Sequence, residues 1–169
     1  MKNNIIKMYL GNYQNQIDKK VEKLLNDKIV KRIWEKDFTV RSNWAKEVTN
    51  RLDWLFSADE TLSHLEEINS FVNEIKSEGF THALLLGMGG SSLAPEVFSF
   101  SFGTKENFLN MKVLDSTDPD AIFDFTKNLD LEKTLYIVST KSGGTIETLS
   151  FFKYFFTFCQ NKLGKEKVS

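Results

Sequence analysis

The chain has 169 residues, 41% hydrophobic and 27% charged, with 22 Lys and Arg against 23 Asp and Glu. That is room for one ordinary domain, or for a small domain with an appendage, and it excludes a two-lobed enzyme within these residues. Basic and acidic residues number 13 and 13 before Gly79 and 9 and 10 after it, so neither part is a polyelectrolyte, and neither nucleic acid nor a membrane is an expected partner.

The single cysteine, Cys159, can form no internal disulfide and reads as a small buried hydrophobe in an apolar helix. The opening MKNNIIKMYLGNYQ is interrupted by Lys7 and lacks a small-residue cleavage site, so it does not read as a signal peptide. The aromatic run Phe151 to Phe158 is far shorter than the roughly 20 residues that span a bilayer. A soluble cytoplasmic protein is the expectation.

From Gln14 to about Asp37, Ile17, Val21, Leu24, Leu25, Ile29, Ile33 and Trp34 recur at helical spacing, which predicts an amphipathic helix with a break near Asp27. A second short helix is predicted from Trp44 to Leu55, with Val48, Leu52 and Leu55 on one face. A third opens at Ser57, where Ser57 and Glu60 have the spacing of a capping box, and runs through Leu62, Leu65, Ile68, Phe71, Val72 and Ile75 to a stop at Gly79. Residues 1–79 are thus an all-helical segment, in which Trp34, Trp44 and Trp54 read as core and domain-docking contacts.

After Gly79 strands and helices alternate. His82–Leu86 is an apolar strand ending in Gly87-Met88-Gly89-Gly90-Ser91-Ser92, and Pro95 is expected to open the following helix. Met111–Asp115 is a second strand, followed by a helix from Pro119. Thr134–Ser139 is a third, ending in Thr140-Lys141-Ser142-Gly143-Gly144 and followed by a helix from Thr145 to about Asn161, with Gly164 just beyond its end. Val168 marks where a fourth strand would begin.

Unalternated apolar strands separated by helices predict an α/β fold, a three-layer doubly wound parallel sheet covering 80–169. In the flavodoxin-like order the first and third strands are neighbours, and the ligand crevice opens at their carboxyl ends. Both Gly/Ser-rich loops stand there. The third strand would lie at an edge with apolar side chains on both faces, which makes the chain by itself an aggregation hazard.

Glycines let backbone approach a ligand, and a helix N-terminus carries about half a positive charge, so each loop is suited to an anion. The second loop adds the hydroxyls of Thr140, Ser142 and Thr145 and the ammonium of Lys141. Together they describe a phosphate cradle beside a neutral, donor-rich loop suited to sugar hydroxyls. The dinucleotide fingerprint finds Gly87 and Gly89 but Ser92 in place of its third glycine, although Asp115 stands where a ribose ligand is expected, so an NAD-dependent dehydrogenase stays as an alternative. A Walker loop fails because Lys141 precedes its glycines.

The segments Gly87-Met88-Gly89-Gly90-Ser91-Ser92-Leu93-Ala94-Pro95 and Thr140-Lys141-Ser142-Gly143-Gly144-Thr145-Ile146-Glu147-Thr148 resemble the paired motifs of the sugar isomerase domain of glucose-6-phosphate isomerases, and the bacterial form sometimes fused to a transaldolase above all. Asp115-Ser116-Thr117-Asp118-Pro119, Arg32-Ile33-Trp34-Glu35-Lys36-Asp37 and Asn50-Arg51-Leu52-Asp53-Trp54-Leu55 are similar to that form as well, so the likeness runs from about Lys31 onward. No transaldolase region precedes it in this chain.

The resemblance implies a hexose phosphate substrate, no metal or other cofactor, and a homodimer in the full-length enzyme. It places Ser91, Thr140, Lys141, Ser142 and Thr145 on the phosphate and Gly89, Gly90 and Ser92 in the sugar loop. Glu147 matches a family glutamate near the sugar ring, and its place in the first turn of a helix suits orienting a partner better than serving as a base. Gly144 replaces a residue that is often threonine. Aldose–ketose exchange through an enediol also needs a base, a ring-opening acid and a cation, which in the family come from later motifs. His64 and His82 read as structural. A non-catalytic sugar-phosphate sensor is the other alternative, against which stands the lack of a basic DNA-reading helix.

Overall fold

The computed structural model describes residues 8–45 and 48–168, apart from the side chain of Asn50. Part of the opening stretch that was weighed as a signal peptide, residues 1–7, lies outside them. The chain divides into two compact units, Met1–Leu65 and Glu66–Ser169.

In the first unit α1 (Gln14–Asn26) and α2 (Ile29–Trp34) replace one long helix. The break falls at Asp27 and Lys28, where Lys28 takes a left-handed φ of 51°. A 3-10 turn at Phe38–Val40 is capped by Asp37, whose carboxylate accepts from the Thr39 backbone N–H at 2.9 Å, the Thr39 hydroxyl at 2.6 Å and Arg32 Nε at 2.7 Å. Lys36 reaches Asp53 at 2.6 Å and lies over the Phe56 ring, which Trp34 meets edge-on at 5.9 Å. These contacts join the two upstream motifs.

The helix expected from Trp44 to Leu55 does not form over its described residues, which give instead two 3-10 turns, Thr49–Arg51 and Asp53–Phe56. Val48, Thr49 and Asn50 are weak helix formers, and Asp53 is held by Lys36. The capping box at Ser57 is also absent. Phe56 is the N-cap of α3 (Ser57–Ser63), with no side-chain cap bond, and the Ser57 hydroxyl donates backward to the Trp54 carbonyl at 2.8 Å. A break at His64 separates α3 from α4 (Leu65–Ser77). Trp34, Trp44 and Trp54 are 51%, 78% and 64% exposed, so the expected core role is not theirs.

The second unit holds a three-stranded parallel sheet in the order β2-β1-β3, formed by β1 (His82–Gly87), β2 (Asn110–Leu114) and β3 (Thr134–Ser139). The first and third strands are neighbours, as the flavodoxin-like order requires. One face carries Leu84, Leu86 and Leu114, packed with Phe151 and Phe155 of α7 (Ile146–Leu163) and with Ala121, Ile122 and Phe125 of α6 (Pro119–Asn128). Full burial of each large side chain contributes about 1.5–3 kcal/mol. By the twofold alternation of a strand, Ala83 and Leu85 point to the other face, and α5 (Gly90–Phe102) lies against β1 and β2. The fold is α/β and doubly wound. Cys159 is buried, as expected.

Pro95 does not open α5 but stands at its sixth position. The helix begins earlier because β1 turns straight into it through Gly89, the N-cap, whose φ of 55° and ψ of −120° only glycine adopts readily. α6 begins at Pro119 as predicted, with the Asp118 carboxylate accepting from the Asp120 and Ala121 N–H groups. β3 is an edge strand in which Ile137 and Val138 are 37% and 41% exposed. Val168 is extended but belongs to no strand. Among the described residues no helix is long and apolar enough to cross a membrane.

Candidate functional site

The parallel register pairs Gly87 with Ser139, so both loops leave the sheet side by side. Adjacent strands lie about 4.8 Å apart, which brings the first loop (Gly87–Ser92) and the second (Thr140–Thr145) within reach of one small molecule. Gly87 is the hinge between them. A Cβ there would stand 3.2 Å from the Ser91 carbonyl oxygen and 3.3 Å from that of Ser139, so close backbone approach favours glycine.

In the first loop Met88 packs against the hydrophobic core and anchors the turn from below. The Gly89 carbonyl accepts from the Ser92 N–H at 3.0 Å and the Leu93 N–H at 2.9 Å, which starts α5. The N–H groups of Gly89 and Gly90 have no partner among the described residues and remain free at the helix N-terminus. Ser91 is half-buried, and its hydroxyl has no partner among the described residues. Ser92 is wholly buried. Its hydroxyl donates to the Gly89 carbonyl at 2.9 Å and stands 3.5 Å from the Asp115 carboxylate.

In the second loop Thr140 and Thr145 place their hydroxyl oxygens 3.2 Å apart. The Ser142 hydroxyl accepts from the Gly144 N–H at 3.2 Å, and Gly143 takes a left-handed φ of 73°. Lys141 and Ser142 are exposed, and Thr145 is the N-cap of α7. The first-turn N–H groups of this 18-residue helix therefore face the loop without helical acceptors, an arrangement that favours negative charge. Glu147 lies half-buried in that turn, and the Thr148 hydroxyl beyond it is buried with no hydrogen-bond partner among the described residues.

The structure thus sets the loop of Gly89, Gly90 and Ser91 and the loop of Thr140, Lys141, Ser142 and Thr145 at adjacent strand ends, with Glu147 in the first turn of the helix that follows the second. His82 lies at the far end of β1, its Nδ1 2.8 Å from the Thr81 hydroxyl. No group of three or more His, Cys, Asp or Glu suited to a metal ion occurs among the described residues. The inward turn of Ser92 and the tight seat of Gly87 escape sequence reasoning, because two adjacent serines and a run of glycines carry no mark of which faces the core. A cavity of about 580 Å³ lies elsewhere, between β3 and α7, lined by residues that include Leu135, Tyr136, Phe152, Phe156 and Leu163. It is a groove beside the edge strand β3 and shares no residue with the two loops. Burial, with the Cys159 thiol alongside, raises the Tyr136 phenol above the ordinary tyrosine range.

A probable glucose-6-phosphate isomerase of Methanococcus maripaludis is 35% identical over 98 residues, covering 56% of this chain and 21% of that protein. The glucose-6-phosphate isomerase of Citrifermentans bemidjiense is 34% identical over 101 residues, covering 54% and 19%. The chain spans about a fifth of the length of these curated relatives. Among solved structures, a hypothetical protein from Thermus thermophilus shares the fold, with a TM-score of 0.63 and 23% identity over 92% of this chain and 35% of that one. A glucose-6-phosphate isomerase from Chlamydia trachomatis matches with a TM-score of 0.53 and 27% identity over 78% of this chain and 23% of that one. Residues 16–167 match the family model for phosphoglucose isomerase, and the chain belongs to that family.

Proposed function

We propose that this chain supplies the sugar-phosphate cradle of a glucose-6-phosphate isomerase, which interconverts glucose 6-phosphate and fructose 6-phosphate. The observation that carries the reading is the pairing of Gly87 with Ser139, which sets a glycine loop rich in free N–H groups beside a loop with one ammonium and three hydroxyls at the start of a long helix. In this reading residues 80–169 are the first sugar isomerase domain, preceded by the helical segment 1–79, in a cytoplasmic enzyme.

Lys141, Ser142, Thr140 and Thr145, with the first-turn N–H groups of α7, hold the phosphate, and Ser91 completes the cradle from the first loop. Gly89 and Gly90 offer N–H groups to the sugar end. Anchoring the phosphate fixes the reacting carbons relative to groups that move protons between them, so the cradle contributes through positioning. Glu147 orients a partner at the ring. In this reading the proton-moving groups come from later motifs of a longer enzyme, in line with the 21% of one relative's length that this chain matches.

Titration of the chain and of Lys141→Ala with glucose 6-phosphate, at low and high salt, tests the reading. Loss of a charge-assisted hydrogen bond predicts binding weaker by about 1.5–3 kcal/mol in the variant, with a smaller gap at high salt. Equal affinities across the salt range would remove Lys141 from the site. A coupled assay is expected to show no turnover by the 169-residue chain; clear turnover abolished by changing Ser91 or Lys141 would overturn the assignment of the cradle alone.

A further inference from the structure

We propose that the two adjacent serines of the first loop have divided roles: Ser91 faces the ligand, and Ser92 is a positioning residue that holds the Gly89 turn in its binding geometry. The inference rests on the sugar-phosphate reading for its ligand and on the hydrogen bonds of the loop for its mechanism.

Gly89 is the point at which β1 becomes α5, and its backbone conformation is one that a flexible glycine leaves easily. Its carbonyl takes three donors, the N–H groups of Ser92 and Leu93 and the Ser92 hydroxyl at 2.9 Å. With the carbonyl tied to the helix, the free N–H groups of Gly89 and Gly90 are kept at the mouth of the loop. Ser63, Ser77 and Thr126 make the same backward bond to the third preceding carbonyl, but on exposed turns where water can replace it. Ser92 has no exposure at all, so water cannot substitute for its hydroxyl. The hydroxyl has one proton, and the shorter contact to Gly89 takes it; Asp115 at 3.5 Å is a neighbouring acceptor at the end of β2. Ser91 differs in both respects, since it is half-buried and its hydroxyl has no partner among the described residues.

Amide hydrogen exchange of the full chain, read residue by residue by NMR, separates the roles. The Leu93 N–H, bonded to Gly89, reports the turn, and the N–H groups of Leu84 to Leu86 report the sheet. Ser92→Ala is expected to speed Leu93 exchange about tenfold, with the sheet amides within about twofold of the parent. Ser92→Cys, close in volume but a weak donor, is expected to do the same and keeps the comparison open if the alanine variant fails to fold. Ser91→Ala is expected to leave Leu93 unchanged. Titration with glucose 6-phosphate is expected to show weaker binding in both Ser91→Ala and Ser92→Cys, accompanied by faster Leu93 exchange only in the latter. Parent-like exchange in Ser92→Cys, equal acceleration of the sheet amides, or unchanged affinity in Ser92→Cys would each overturn the positioning role. Absence of binding by the parent chain would instead defeat the sugar-phosphate reading, while the exchange rates would still decide whether Ser92 holds the turn.

Discussion

The hydroxyl oxygens of Thr140 and Thr145 lie 3.2 Å apart, closing the second loop across the last residue of its approach from β3 and the N-cap of α7. One of the two donates to the other, so the pair is left with one hydroxyl proton that it can offer to a ligand. Thr140→Val removes one member and keeps the shape. The expected result is glucose 6-phosphate binding weaker by about 0.5–1.5 kcal/mol with little change in unfolding midpoint. Calorimetric titration beside a thermal melt checks it, and unaltered affinity would place the pair outside the cradle.

Gly87→Ala tests the spacing of the two loops. The added methyl carbon would stand 3.1 Å from Leu85 Cδ2 and 3.2 and 3.3 Å from the backbone oxygens of Ser91 and Ser139, so backbone on both sides has to yield. A loss of about 1–3 kcal/mol in unfolding free energy is expected, together with weaker ligand binding. Urea denaturation measures the first quantity. A variant as stable as the parent would show that the loops are not held against Gly87.

Thr148 invites the opposite change. Its hydroxyl is buried without a hydrogen-bond partner among the described residues, a state that carries a desolvation penalty of about 1–3 kcal/mol. Thr148→Val replaces the hydroxyl by a methyl group of similar size and is expected to leave the unfolding midpoint unchanged or raised. A clear drop in the midpoint would show that the hydroxyl has a partner in solution, an ordered water among them.

Asp37 provides a pH test in the first unit. The Thr39 hydroxyl, Arg32 and the Thr39 backbone N–H, in that order, hold its carboxyl down from the ordinary 3.8 to about 2. A carboxylate depressed on folding contributes stability that is fully present above about pH 3.8 and is lost as pH falls through about 2. An NMR titration of the Asp37 carboxyl carbon is therefore expected to give a midpoint near 2 in the parent and a higher one in Arg32→Gln. A midpoint near 3.8 in the parent would mean that the turn does not form in solution.

Much of the α/β unit was legible because its residues obey strong local rules. Continuous apolar runs leading into glycine-containing loops located β1 and β3, the shorter stretch Met111–Leu114 located β2, Asp118-Pro119 marked the start of α6, and Gly164 marked the end of α7. The helical first unit was read less well. Residues 44–56 have apolar spacing that fits a helix, yet weak intrinsic propensity and the contacts of Asp53 and Phe56 with Lys36 turn the described part into 3-10 turns. Ser57 shows the same limit, since a hydroxyl with capping spacing becomes a donor once Phe56 takes the cap position.

For the candidate site, residue types alone suggested a pair of loops suited to an anion, since Lys141, the hydroxyls and the glycines carry their chemistry wherever they stand. What only the tertiary structure decided is which of these groups are buried and bonded within the fold and which are left open at the strand ends. The sheet register places Ser139 beside Gly87 and so joins loops separated by some fifty residues. Burial against β1 and β2 turns Ser92 inward while its neighbour Ser91 remains half-buried with a free hydroxyl. Successive residues at a helix start differ by about 100° in direction, so a one-residue difference in where α5 begins exchanges their roles, and that beginning depends on a glycine conformation set by packing around the strand end.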